Sequence, residues 1–193
     1  MRALAKDLLE RGEVATVIGW EKGTFWYNST PVFISKPEQA DRLIFDEFCA
    51  NNLAKYLMDY KMADGKVAVF VKGCDAKAVI RLIQDQQVKR EKVYLIGIPC
   101  PGMKEAPKSA SPQDAASLPA LKKCQECGKP NPVIYDVLLG EPVPERNAAD
   151  RFASVEELEA KGADEKYAYW NKMHSQCIRC YACRNVCPAC NCR

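Results

Sequence analysis

Cys177, Cys180, Cys183 and Cys187 stand in the pattern Cys-x2-Cys-x2-Cys-x3-Cys, and Pro188 follows directly. This is the spacing of a bacterial ferredoxin loop. A cubic iron–sulfur cluster needs a thiolate at each iron corner. Two-residue gaps let one loop present three thiolates to one cube, and the proline turns the chain away after the fourth. In two-cluster ferredoxins that fourth cysteine serves the other cluster. A zinc knuckle is the competing reading, but zinc sites usually come as two Cys-x-x-Cys pairs separated by a longer loop. Ile178, Tyr181, Ala182 and Val186 are expected to line the loop, and Arg179 and Arg184 to offset the charge of thiolate and sulfide. Cys190 and Cys192 continue the run. They could complete either cluster, stay free, or join a ligand set beyond Arg193.

A second group of four consists of Cys74, Cys100, Cys124 and Cys127. Their number and placement suit a second four-thiolate site. Cys74 is expected at the start of a helix, whose positive end favours a thiolate. Gly73 would let the backbone come close to a cluster, and Pro99 and Pro101 would brace Cys100. Other readings stay open for this group. Cys74 and Cys100 could be small core residues, and Cys124 and Cys127 a redox dithiol or half of a zinc site. Cys49, the remaining cysteine, reads as core. His174, the single histidine, reads as a surface group at a helix end. Trp20, Trp26 and Trp170 read as packing residues. The chain contains no Ser-His-Asp set, GxGxxG, P-loop or HExxH motif.

The elements that must position these thiols are clearest over 66–98. KVAVFV (66–71) is a buried-strand run, Ala76–Gln87 has helical spacing, and KVYLIGI (92–98) is a second strand. Strand, helix, strand is a βαβ unit and implies a parallel sheet. Ligands of such sheets bind off the carboxyl ends of strands, and Cys74 and Cys100 each follow one. Upstream, residues 2–11 read as a helix with Leu4, Leu8 and Leu9 on one face. Val14–Trp20 and Phe25–Ile34 read as strands around a Lys22-Gly23 turn, and 38–60 as helix. Residues 101–123 read as a surface loop. Ser154 is expected to cap a helix with Glu157 closing the box, and Asp164–Gln176 to form another helix. The fold class expected is therefore α/β, with a parallel-sheet core and a C-terminal ferredoxin-like 4Fe-4S segment. The division expected is a domain over 1–150 and a helix plus cluster-binding segment over 151–193.

Composition limits the partners. The 193 residues are 48% hydrophobic and 27% charged, with a formal net charge of +3. That is a soluble globular profile with no basic stripe for nucleic acid. Charges interrupt the first residues, so no secretory signal is read. No apolar run reaches the ~20 residues a bilayer span requires. The expectation is a cytoplasmic protein without membrane insertion. There, eleven cysteines are better read as metal ligands than as disulfides.

Four motifs in one order, KGCDAKAVI (72–80), GIPCPGM (97–103), CQEC (124–127) followed by PVIYD (132–136), and CIRCYACRNVCPAC (177–190), carry a resemblance. The chain resembles proteins related to the beta subunit of coenzyme F420-reducing hydrogenase and of archaeal formate dehydrogenase. The nearest branch looks like the short bacterial members that accompany heterodisulfide-reductase-like flavoprotein complexes in anaerobes. The resemblance implies electron transfer through 4Fe-4S clusters, two of them here, in a hetero-oligomer with other redox subunits. The larger relatives also bind FAD and reduce a deazaflavin. Three functions follow for comparison. One is an electron-carrying subunit without catalysis of its own. One is a flavin-bearing oxidoreductase subunit, with a phosphate at the helix start near Lys72-Gly73-Cys74. The third is a zinc-stabilised interaction module.

Overall fold

The computed structural model describes residues 1–107, 110–146 and 151–190. A five-stranded sheet in the order β2-β1-β3-β4-β5 forms its centre. The strands are β1 (Thr16–Lys22), β2 (Ser29–Ile34), β3 (Val67–Val71), β4 (Val93–Gly97) and β5 (Val137–Leu138). β1, β3, β4 and β5 pair in parallel, and β2 closes one edge antiparallel to β1. The class is α/β, as the βαβ pattern requires.

β3 is buried at every position, which is why its sequence is a continuous Val/Phe/Ala run rather than an alternation. α2 (Gly73–Gln84) connects β3 to β4 and buries Ala76, Ala78, Val79 and Leu82. α1 (Arg2–Glu10) buries Ala5 and Leu8, and Arg2 Nε donates to the Leu43 carbonyl at 2.9 Å. The core also takes in Ile18, Trp20, Leu53, Phe70 and Leu95. On the β2 edge, Phe33 meets Tyr56 edge-on and stacks on Tyr60.

Residues 38–60 depart from the helix that their apolar spacing predicts. They form two 3-10 segments, Pro37–Arg42 and Ala54–Tyr60, with irregular chain between. Two side chains take over the backbone there. Asp46 Oδ1 accepts from the Phe48 N–H at 2.9 Å and Asn52 Oδ1 from the Ala54 N–H at 3.0 Å. Such turns compete directly with helix hydrogen bonding. Ile44 instead pairs with Trp20 as an isolated bridge. The apolar residues still enter the core, but from turns.

β5 was not anticipated. Asp136, just before it, ties it to the sheet. Its carboxylate accepts from the Leu95 N–H at 2.7 Å and from Arg90 Nη2 at 2.6 Å. The C-terminal helices are α4 (Ala153–Glu159), α5 (Ala163–Ser175) and α6 (Ala182–Val186). Ser154 lies inside α4, not at its cap. Phe152 takes the cap position, and its carbonyl accepts the first helical N–H groups. Neither α4 nor α5 buries a residue. Trp170 is accordingly half-exposed, with His174 stacked beside it. Trp20 and Trp26 do pack, Trp26 edge-on to Phe48. No helix among the described residues is long and apolar enough to cross a membrane.

Candidate metal centre

Cys74, Cys100, Cys124 and Cys127 line one cavity of about 100 Å3 with a largely apolar wall. The sheet delivers the first two. β3 and β4 run parallel with Val71 opposite Gly97, so the residues after them emerge at the same edge. α2 begins at Gly73, one residue before Cys74 rather than after it, which places Cys74 in the first turn.

The last two arrive by a closed excursion of the chain. Residues 103–121 leave the sheet edge and return to it. The Leu121 N–H donates to the Met103 carbonyl at 2.8 Å, and Lys104 bridges to Ala120. Lys104 Nζ secures the excursion on the carbonyls of Ala115 and Ala116. α3 (Lys122–Gln125) follows and carries Cys124, whose Sγ accepts the Met103 N–H at 3.3 Å. The span expected to be a plain surface loop is therefore what returns the Cys-x-x-Cys pair to Cys100.

Lys129–Asn131 closes another side. The Cys100 N–H donates to the Pro130 carbonyl at 3.1 Å, and Asn131 exchanges two hydrogen bonds with Val143. A Cβ built on Gly73 would stand 2.2 Å from the Lys129 carbonyl oxygen. Gly73 thus serves the approach of this loop. It also lines the cavity itself. Arg146 donates to the Pro101 carbonyl and also lines the cavity.

Beneath the cavity lies a buried ion pair. Lys72 Nζ is 3.0 Å from Asp75 Oδ2, and both side chains are shut off from solvent. The ammonium also donates to the Asn51 carbonyl at 3.0 Å and sits 3.9 Å above the Trp20 ring. Burial raises the Cys100 thiol, and burial followed by the Asp75 carboxylate pushes Cys74 up to about 11. Lys72 opposes both rises. Cys74 is nonetheless exposed and Cys100 half-buried, and thiols raised in this way are stable when protonated or when bonded to metal, which takes the thiolate.

All four cysteines border the same cavity. Among the described residues no three His, Cys, Asp or Glu side chains form a group fit to hold a metal ion. One zinc would need four ligands at roughly 2.3 Å from a common centre. A four-iron cluster would take each thiolate on a different iron, so its donors would not need to share one centre.

The C-terminal cysteines are arranged differently. Cys177, Cys180, Cys183 and Cys190 are exposed, and Cys187 is half-buried. Arg179 and Tyr181 take left-handed backbone conformations, φ 56° and 59°, uncommon for residues with side chains and concentrated at functional turns. The Cys187 and Cys190 thiols are hydrogen-bonded to each other. Backbone N–H groups, that of Ala189 first, hold the Cys187 thiol below its ordinary value. Ile178 and Val186, expected to line the loop, face solvent at 85% and 67% exposure, and Tyr181 is also exposed. Cys192 and Arg193 lie outside the described residues. Cys49 is fully buried, as expected, beside Asp46.

Met103 and Arg146 belong to the upstream site and are not singled out by the sequence, which names Lys72 only beside a possible phosphate. Lys72 left a trace, as a charged residue directly after a wholly apolar strand. Nothing in the local sequence marks Arg146, which reaches the site through tertiary folding alone.

A sheet-edge cavity lined by four cysteines, together with a second, C-terminal cysteine run, makes this a cysteine-rich α/β protein. No family profile matches the chain. The beta subunit of F420-dependent formate dehydrogenase 1 from Methanococcus maripaludis is 24% identical over 277 aligned positions, covering 99% of this chain and 71% of that protein. The beta subunit of F420-dependent formate dehydrogenase from Methanocaldococcus jannaschii is 31% identical over 165 positions, covering 83% of this chain and 40% of that protein. The chain thus matches less than half the length of the second relative. A chain of the F420-reducing NiFe hydrogenase complex from Methanosarcina barkeri gives a TM-score of 0.45 at 18% identity, over 60% of this chain and 40% of that one. A likeness that weak carries no argument. The chain is thus similar along its length to beta subunits of F420-dependent formate dehydrogenases.

Proposed function

We propose that this chain is an iron–sulfur electron-transfer subunit of a multisubunit redox complex of anaerobes, of the kind that accompanies heterodisulfide-reductase-like flavoproteins. It would hold two 4Fe-4S clusters, each able to accept and release one electron. Cys74, Cys100, Cys124 and Cys127 would ligate one. Cys177, Cys180, Cys183 and Cys187 would ligate the other, with Cys190 and Cys192 next to it. The chain would work in the cytoplasm, with residues 1–150 holding the first centre and 151–193 the second. The relatives' names, beta subunits of oxidoreductases, support the assignment to a redox complex.

The observation that carries the reading is the convergence of Cys74, Cys100, Cys124 and Cys127 on one cavity. Three separate pieces of chain supply them, and no packing requirement alone would make all three end in cysteine. The protein's own part is to orient and to shield. α2 and the strand ends fix two sulfurs. The Met103 N–H, a hydrogen-bond donor to Cys124 Sγ, tunes a third, since such bonds set cluster potentials. The apolar wall limits water.

The test is to purify the full chain without oxygen and measure iron, acid-labile sulfide, zinc and flavin on one sample. About eight irons and eight sulfides per chain are expected, from two four-iron clusters. Zinc without iron would end the electron-transfer reading. Stoichiometric flavin would shift the assignment to a flavin-bearing oxidoreductase subunit.

A further inference from the structure

Within the segment Asn51–Lys55, hydrogen bonds run to Cys74 and its helix turn on one side and to Cys187 and Cys190 on the other. The Asn51 carbonyl accepts from Lys72 Nζ at 3.0 Å and from Trp20 Nε1 at 3.3 Å. Asn52 Nδ2 reaches the Cys74 carbonyl at 3.5 Å. The Leu53 N–H donates to Asp75 Oδ1 at 3.1 Å, within the first turn of α2 that carries Cys74. Lys55 then turns the other way. Its Nζ donates to the carbonyls of Cys187 at 3.0 Å and Cys190 at 2.6 Å. A cleft of about 470 Å3 opens beside it, with Asn52, Lys55 and Tyr56 on one wall and Arg184, Asn185 and Cys190 on the other.

We infer that Lys55 is a positioning residue that couples the two cysteine centres, by pinning the Cys187–Cys190 turn to the segment that braces Cys74 and by placing a cation against the C-terminal centre. The inference rests on the two-cluster reading above. Two effects follow from one ammonium group. Its bonds to two carbonyls fix the separation and orientation of the two centres, on which electron exchange between them depends. Its charge stabilises the electron added when the C-terminal centre is reduced, because a nearby cation lowers the energy of added negative charge. The upstream centre has its own buried cation, Lys72, already offset by Asp75, so Lys55 acts selectively on the other one.

The experiment compares the anaerobically reconstituted full chain with Lys55→Met and Lys55→Arg. Methionine keeps the unbranched stem without charge or donors, and arginine keeps the charge. Redox titration is followed by electron paramagnetic resonance. A Cys124→Ala background, which disables the upstream site, identifies the C-terminal signal. For Lys55→Met the expected result is unchanged iron, a C-terminal centre that titrates at lower potential, an unmoved upstream potential, and weaker spin–spin broadening between the two. Lys55→Arg should restore the C-terminal potential. Unchanged potential and broadening in a fully loaded Lys55→Met protein would overturn the inference while leaving the two-cluster reading intact. Loss of C-terminal iron in both variants would also overturn it, by making Lys55 a simple structural contact. Fewer than two clusters in the unmodified protein would overturn the proposed function, and this inference with it.

Discussion

Gly73 and Lys129 approach so closely that the space a side chain would need at Gly73 is filled by the Lys129 carbonyl oxygen. A Cβ there would lie 2.2 Å from that oxygen and 2.9 Å from the Asn131 carbonyl oxygen. Both obstacles are backbone and cannot rotate away. Gly73→Ala should therefore displace the Lys129–Asn131 loop, at a cost of about 1–3 kcal/mol for forced overpacking. Urea unfolding reads the stability, and iron analysis reads the site. The expected pattern is iron lost from the upstream group with the C-terminal run still loaded. Full loading with wild-type stability would show that the loop is not held where it is described.

The Lys72–Asp75 pair gives a second prediction. Asp75 accepts from Lys72 Nζ, from the Lys72 N–H at 2.9 Å and from the Leu53 N–H. Asp75→Asn leaves the buried ammonium without its counter-charge, and breaking such a pair from one side costs about 3–5 kcal/mol. The double variant Lys72→Met/Asp75→Asn removes the stranded charge and should recover part of the loss. A double-mutant cycle on unfolding free energies measures the recovery. Strictly additive losses would mean that the two groups do not interact.

Single cysteine replacements separate the two centres. Cys124→Ala and Cys180→Ala should each take iron from about eight to about four per chain, by the stoichiometry of four-iron clusters. The spectroscopic signal lost should differ between them. If either change emptied both sites, the centres would be assembling as one unit.

Cys49 supplies a pH prediction away from either centre. Burial, ahead of the neighbouring Asp46, pushes its thiol up to about 12 from an ordinary 9.0. The folded protein thus holds this proton more tightly than the unfolded chain does. The stabilisation is fully present below pH 9.0 and is lost as pH rises towards about 12. Unfolding free energies of the native protein and of Cys49→Ala should differ most at pH 8 and converge as alkali is added. In the folded protein at pH 8, Cys49 should resist alkylation. A gap between the two proteins that stayed constant with pH would contradict the assignment.

The sheet-edge site could be anticipated from sequence where local pattern dictates geometry. Val67–Val71 and Val93–Gly97 are wholly apolar and flank one helix, so a parallel pair was required, and with it the meeting of Cys74 and Cys100. The placement of Cys124 and Cys127 was not readable in that way. It depends on the Met103–Leu121 closure and on Lys104, contacts that leave no periodic trace. Residues 38–60 misled because their apolar spacing is helical while Asp46 and Asn52 turn the chain with their own side chains. Lys55 was equally hidden, as one lysine among many until the fold placed its ammonium on two cysteine carbonyls.

The excursion that leaves at Met103 and returns at Leu121 has a consequence for engineering. Its base is locked by the Met103–Leu121 and Lys104–Ala120 pairings, so Cys100 and Cys124 are held by the neck and do not feel what the arm carries. Lengthening a surface arm closed in this way costs little, since closure entropy grows only slowly with length. The arm is thus a natural graft point. An affinity tag, a fluorophore or a whole tethered redox partner could be spliced into the exposed Pro112–Ser117 stretch with the cysteines at its root kept in place.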